Sequence, residues 1–156
     1  MRFLRPEGGM VEFAEAALGH LLLHRQLCEE GPEAGGILLG RLIMGSPDIV
    51  VDQAVGPSPE DRRGRYFFFR ARQPAQMIID QAWNDSRQTL NYLGEWHTHP
   101  EDDPLPSTVD RRDWAQITAR AGFEQSSLLF VIVGRVYIRM WEVPKASGKL
   151  ISLSSI

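Results

Sequence analysis

Strand-like and helix-like segments interleave along this chain of 156 residues, yet several strand-like segments follow one another with no helix between them. That order calls for a mixed sheet with helices packed on it, an α+β domain. Val11 to Leu27 carries Phe13, Ala16, Ala17, Leu21, Leu23 and Leu27 at helical spacing and reads as an amphipathic helix. Glu29-Glu30-Gly31-Pro32 ends it. Gly35 to Gly40 and Asp48 to Val51 read as strands joined through Gly45-Ser46-Pro47. Pro57 to Gly64 reads as a polar loop and Tyr66 to Phe69 as a strand. Ala75 to Leu90 is a second predicted helix, with Met77, Ile78, Ala82 and Trp83 toward the core. Tyr92 to His99 is a strand stopped by Pro100, and Ser107 to Ala121 a third helix. Leu128 to Val133 and Val136 to Trp141 form a predicted hairpin turning at Gly134-Arg135. Trp114 and Trp141 are expected in the core.

The length fits one compact domain, taken as residues 1–156. The formal net charge is −3, which argues against a nucleic-acid partner. Cys28 is the one cysteine, so neither an internal disulfide nor a cysteine-built zinc cluster is available. That composition fits a reducing, cytoplasmic setting. The N-terminal segment lacks the apolar core of a signal peptide, and no apolar run is long enough to span a bilayer. No membrane partner is expected.

His97-Thr98-His99 carries the chemistry. Residues two apart on a strand share a face, so this pair aims two imidazoles at one point. Pro100 ends the strand and leaves the pair at its rim. Alone, such histidines are often surface or satisfied core residues. A catalytic zinc takes three protein ligands and keeps a fourth position open. Asp110 is the candidate third ligand, in Pro106-Ser107-Thr108-Val109-Asp110. The bland reading of this segment is a helix start: Ser107 as N-cap and Asp110 as its capping-box partner. For Ser107 both roles are compatible, whereas for Asp110 capping and metal ligation compete. Zinc also needs a base beside its water. Glu33 precedes a glycine-rich strand in which Gly35 and Gly36 permit close backbone approach. By itself it reads as a polar residue before a strand.

Together these residues resemble the JAMM motif of the MPN-type metallopeptidases, the prokaryotic JAB members included. That motif is an upstream Glu, then H-x-H-P, then a Ser and an Asp at fixed spacing. It stands here as Glu33, His97-Thr98-His99-Pro100, Ser107 and Asp110. The resemblance covers roughly Glu33 to Trp141. It implies a cytidine-deaminase-like JAB/MPN domain, a mixed β-sheet flanked by helices. It also implies zinc, and cleavage of peptide or isopeptide bonds next to the C-terminus of a ubiquitin-like protein. By position, His97, His99 and Asp110 become zinc ligands, Glu33 the acid/base, and Ser107 the group that steadies the oxyanion. Gly94-Glu95-Trp96-His97, Pro32-Glu33-Ala34-Gly35-Gly36 and Phe69-Arg70 are similar to standalone bacterial members from anti-phage operons. Those members imply deconjugation of a ubiquitin-like modifier, or of a nucleotidyltransferase conjugated through its C-terminal tail, from its target.

Glu95 departs from the aromatic residue common at that position. It is in phase with the histidines, as a support for an imidazole or as a rival base to Glu33. Trp96 alternates to the opposite face. Glu101-Asp102-Asp103 reads as a solvated loop. Arg62-Arg63-Gly64-Arg65 and Phe67 to Arg70 lie where family members contact the modifier, and equally read as a charged loop feeding a strand. Rival readings are a peptidase that trims sulfur-carrier or other precursors, and a metal-free scaffold, which the intact ligand set disfavours. A zinc deaminase fails for want of a Cys-x-x-Cys pair.

Overall fold

The computed structural model describes residues 1–28 and 30–156; Glu29, part of the expected helix stop, lies outside the described residues. Two short strands open the chain, β1 (Arg2–Leu4) and β2 (Met10–Phe13), followed by helix α1 (Glu15–Leu23). Then come β3 (Gly35–Leu42), β4 (Ile49–Val55), β5 (Arg62–Gly64), β6 (Phe67–Phe69) and α2 (Arg72–Asp85). Next are β7 (Asn91–Thr98), α3 (Thr108–Arg120), β8 (Ser127–Val133), β9 (Ile138–Pro144) and β10 (Ile151–Ser155).

The sheet is mixed, as expected, with parallel pairs β2–β4 and β7–β8 among antiparallel ones. It differs from a flat flanked sheet in being closed. The order β1-β10-β9-β8-β7-β3-β4-β2 returns on itself because β1 pairs with both β2 and β10. One face is the interior, where Phe3, Val11, Leu38, Trp96, Met140 and Leu153 meet Ala17 and Leu21 of α1. On the outer face, Trp114 of α3 packs on Phe130, Ile132 and Trp141, and Ala75 of α2 on Ile37 and Leu39. β8 is buried at every residue because layers cover both its faces. No helix among the described residues is long and apolar enough to cross a membrane.

Several boundaries shift from expectation. The predicted helix from Val11 begins as strand: Val11 and Phe13 are buried in alternation beside Ile49 and Val51, and the helix runs only from Glu15 to Leu23. Leu23 and Leu27 are exposed, so the apolar periodicity there does not mark a core face. In α2 the inward residues are Ala75, Ile79 and Ala82, whereas Met77 and Ile78 are exposed and Trp83 is half-buried. The end of the polar loop pairs as β5 with β6. The β8–β9 hairpin closes at Val133 and Ile138, so four residues, Gly134 to Tyr137, make its turn.

Candidate metal centre

Three elements converge at one end of β7. The strand alternates as its sequence demands, sending Trp96 and Thr98 inward and His97 toward Trp114 on the outer face. His97 and His99 are both buried, with Nε2 atoms 3.0 Å apart. A Pro-rich loop, with Pro104 and Pro106 buried, brings the first turn of α3 across the strand end. Asp110 Oδ1 lies 3.2 Å from His97 Nε2, and Asp110 Oδ2 lies 3.5 Å from His99 Nε2. Zinc bonded to N and O donors at about 2.05 Å in a tetrahedron has donor–donor edges of about 3.3 Å. The two imidazole nitrogens, and each carboxylate oxygen with the imidazole nearer to it, stand close to that edge length, and the set of two imidazoles and a carboxylate suits zinc.

The helix start and the ligand set are built together. Ser107 Oγ accepts from the Asp110 N–H at 3.1 Å, and the Ser107 N–H donates to Asp110 Oδ2 at 2.6 Å, a complete capping box. The expected competition narrows to Oδ2, which accepts from the Ser107 N–H and also stands 3.5 Å from His99 Nε2, while Oδ1 is left to face His97. Burial would raise the Asp110 carboxyl, but hydrogen bonds from His97, His99 and Ser107 hold it well below the usual carboxylate range. Burial likewise opposes a charge on His99, yet Asp110, Glu33 and Glu101 together raise its pKa.

Glu33 is buried just before β3. Register places Gly35 opposite His97, so Glu33 falls beside His99. The segment is fastened on both sides. The Glu33 N–H donates to Gly64 O at 2.8 Å, and Arg63 Nε donates to Glu33 O at 2.7 Å. Ala34 N–H donates to Thr98 Oγ1 at 2.9 Å, and Thr98 Oγ1 donates to Gln26 Oε1 at 3.0 Å. Desolvation by burial pushes the Glu33 carboxyl up to about 8, with Asp110 and Glu101 adding to the rise and His99 opposing it. The close approach at Gly35 and Gly36 is made by the protein's own atoms. A Cβ at Gly35 would strike the Phe68 ring, and one at Gly36 the Val55 carbonyl.

Glu95 supports neither imidazole. Its Oε1 accepts from Arg70 Nη2 at 2.5 Å, Arg70 Nε at 3.0 Å and Tyr92 Oη at 3.2 Å. The acidic loop after the histidines is pinned rather than free: Asp102 pairs with Arg135 at 2.7 Å and Asp103 with Arg139 at 2.5 Å. Gln26, Thr98, Arg63 and Arg70 support the site or its wall through contacts that no sequence motif marks. Thr98 alone carried a signal, as a polar residue on the inward phase of a buried strand. From His97 and Asp110 a groove of about 500 Å3 runs between α3 on one side and β6 and α2 on the other.

Residues 15–144 match the family described as prokaryotic homologs of the JAB domain. A "CD-NTase/cGAS isopeptidase" of Pseudomonas aeruginosa is 36% identical over 84% of this chain and 82% of its own. Another of that name, from Vibrio cholerae, is 38% identical over 76% of this chain and 74% of its own. The solution structure of protein DSY2949 from Desulfitobacterium hafniense superposes with a TM-score of 0.62 at 20% identity, covering 93% of this chain and 88% of that one. That last likeness concerns the fold alone.

Proposed function

The chain belongs to the prokaryotic JAB family, and from that premise we propose that it is a zinc-dependent isopeptidase releasing a nucleotidyltransferase conjugated through its C-terminal tail. The activity belongs to one JAB domain, residues 1–156, acting in the cytoplasm to reverse conjugation in bacterial anti-phage defence. The observation that carries this reading is the convergence of His97, His99 and Asp110, with the imidazole nitrogens 3.0 Å apart and a carboxylate oxygen 3.2 and 3.5 Å from each in turn, beside the buried Glu33 carboxyl. Relatives named CD-NTase/cGAS isopeptidase at 36% and 38% identity favour a conjugated nucleotidyltransferase over a ubiquitin-like modifier.

In this reading His97, His99 and Asp110 hold zinc, which supplies Lewis acidity and a water acidified toward pKa 7. Glu33 takes and returns the proton. Burial raises its carboxyl in the metal-free protein, and the charge of a bound ion would lower it again, into the range where it can accept a proton near neutral pH and pass it to a leaving amine. Ser107 Oγ is an acceptor from Asp110 N–H, so its own O–H is left to donate to the oxyanion. Among the described residues β6 pairs only with β5, and Phe68 and Phe69 line the groove. A substrate tail laid along that free edge gains main-chain hydrogen bonds, with small residues favoured at the cut.

The test uses a nucleotidyltransferase C-terminal tail fused to a reporter, beside casein. Zinc-loaded protein should cut the fusion and leave casein intact. Glu33→Gln should keep its zinc by elemental analysis while turnover falls about 100-fold or more, the scale of a lost proton carrier. Casein digestion with an untouched fusion would reject the substrate assignment. Protein that takes up no zinc would reject the centre.

A further inference from the structure

One face of α3 forms a wall of the groove from end to end. Asp110, Asp113, Trp114, Ile117 and Arg120 all line it, at the spacing of a single helical face. Asp110 stands at the metal end and Arg120 ten residues further along. At 1.5 Å per residue the helix places Arg120 about 15 Å from the centre. An extended peptide rises about 3.3 Å per residue, so it covers that distance in four to five residues.

The charges along this path are unequal. At the metal end lie Asp110 and Asp113, the latter paired with Arg112 at 3.1 Å. In the middle, Arg70 and Glu95 neutralise one another. Arg120 on one wall and Arg72 on the other are exposed, and the ion pairs among the described residues involve other arginines. Among the described residues neither guanidinium has an ion-pair partner, and both line the one groove, open to an extended chain that lies in it. Arginine in such a place reads carboxylates, by its fixed fork of donors.

We propose that Arg120 and Arg72 select a tail carrying an acidic side chain four to five residues before the cleaved bond, and reject a basic one there. This deepens the isopeptidase reading and rests on it, since it takes the groove to hold the tail. Charge complementarity of this kind governs partner choice more than raw affinity.

The experiment is a set of tails on a folded reporter, each Gly/Ala/Ser-rich, with one Glu or one Lys moved from the second to the sixth position before the cut. Zinc-loaded protein should prefer Glu to Lys at the fourth or fifth position by about fivefold in kcat/KM, the upper range for an exposed charge pair. The preference should shrink toward unity as salt rises. Arg120→Glu should reverse it, making the Lys tail the better substrate, a gain that misfolding cannot produce. Arg72→Glu provides the same reversal test from the opposite wall. A Glu preference untouched by both substitutions, or none at any position, overturns the proposal while cleavage itself upholds the isopeptidase reading. Cleavage of no tail at all overturns both.

Discussion

The Asp110 carboxylate meets two demands at once, a helix start through Oδ2 and the centre through Oδ1. Substitutions separate them. Ser107→Ala removes the acceptor for the Asp110 N–H and should cost about 1 kcal/mol, the usual worth of an N-cap. Its zinc content should stay at one per chain. Asp110→Ala should show a similar loss in melting temperature together with loss of zinc. If Asp110→Ala keeps its zinc, the residue is a cap only. Glu33 yields a pH prediction. Its carboxyl is raised from 4.5 to about 8, so between those values the folded state holds a proton that the unfolded chain has released. Stability of chelator-treated protein should therefore fall as pH rises through that window. Glu33→Gln should lack this contribution and gain on the parent protein from pH 5 to 9 in urea titrations. At this scale the sequence was highly legible: the five motif residues carry their own spacing, and strand alternation alone aims the two imidazoles together. The network behind them was not, because Gln26, Arg63 and Arg70 reach the site only through chain-distant contacts.

Among the elements, the β5–β6 hairpin and α2 form one wall of the groove, fastened to β7 by the Arg70–Glu95 pair. Both side chains are largely buried, at 20% and 14% exposure, so removing one partner strands the other. Glu95→Gln should cost about 2 kcal/mol, between the worth of surface and fully buried pairs. Arg70→Met added to it should recover much of that loss. Turnover should suffer far less than in Glu33→Gln, and an inactive Glu95→Gln of normal stability would restore Glu95 as a rival base. Elements with local signatures were legible, among them α3 with its cap and β8 with its apolar run. β1 and β10 were not, since three- and five-residue strands with a single buried residue each exist only through pairing across the length of the chain. Val11 to Phe13 misled because the same apolar positions satisfy a helix of period 3.6 and a strand of period 2.

For the whole molecule, closure of the sheet is what local patterning did not disclose. Helices on both faces follow from interleaved segments, but a ring follows only from β1 bridging β2 and β10. Arg5 braces that junction, reaching Glu142 Oε1 at 2.6 Å across the closing strands. Outside the ring, α3 joins two tasks: Asp110 in its first turn is a ligand candidate, and its far end bears Arg120. On the two proposals above, an ion would hold one end of this helix and a peptide the other, and two ligands of one element are thermodynamically reciprocal. By whatever factor zinc improves the hold on the tail, the tail must improve the hold on zinc.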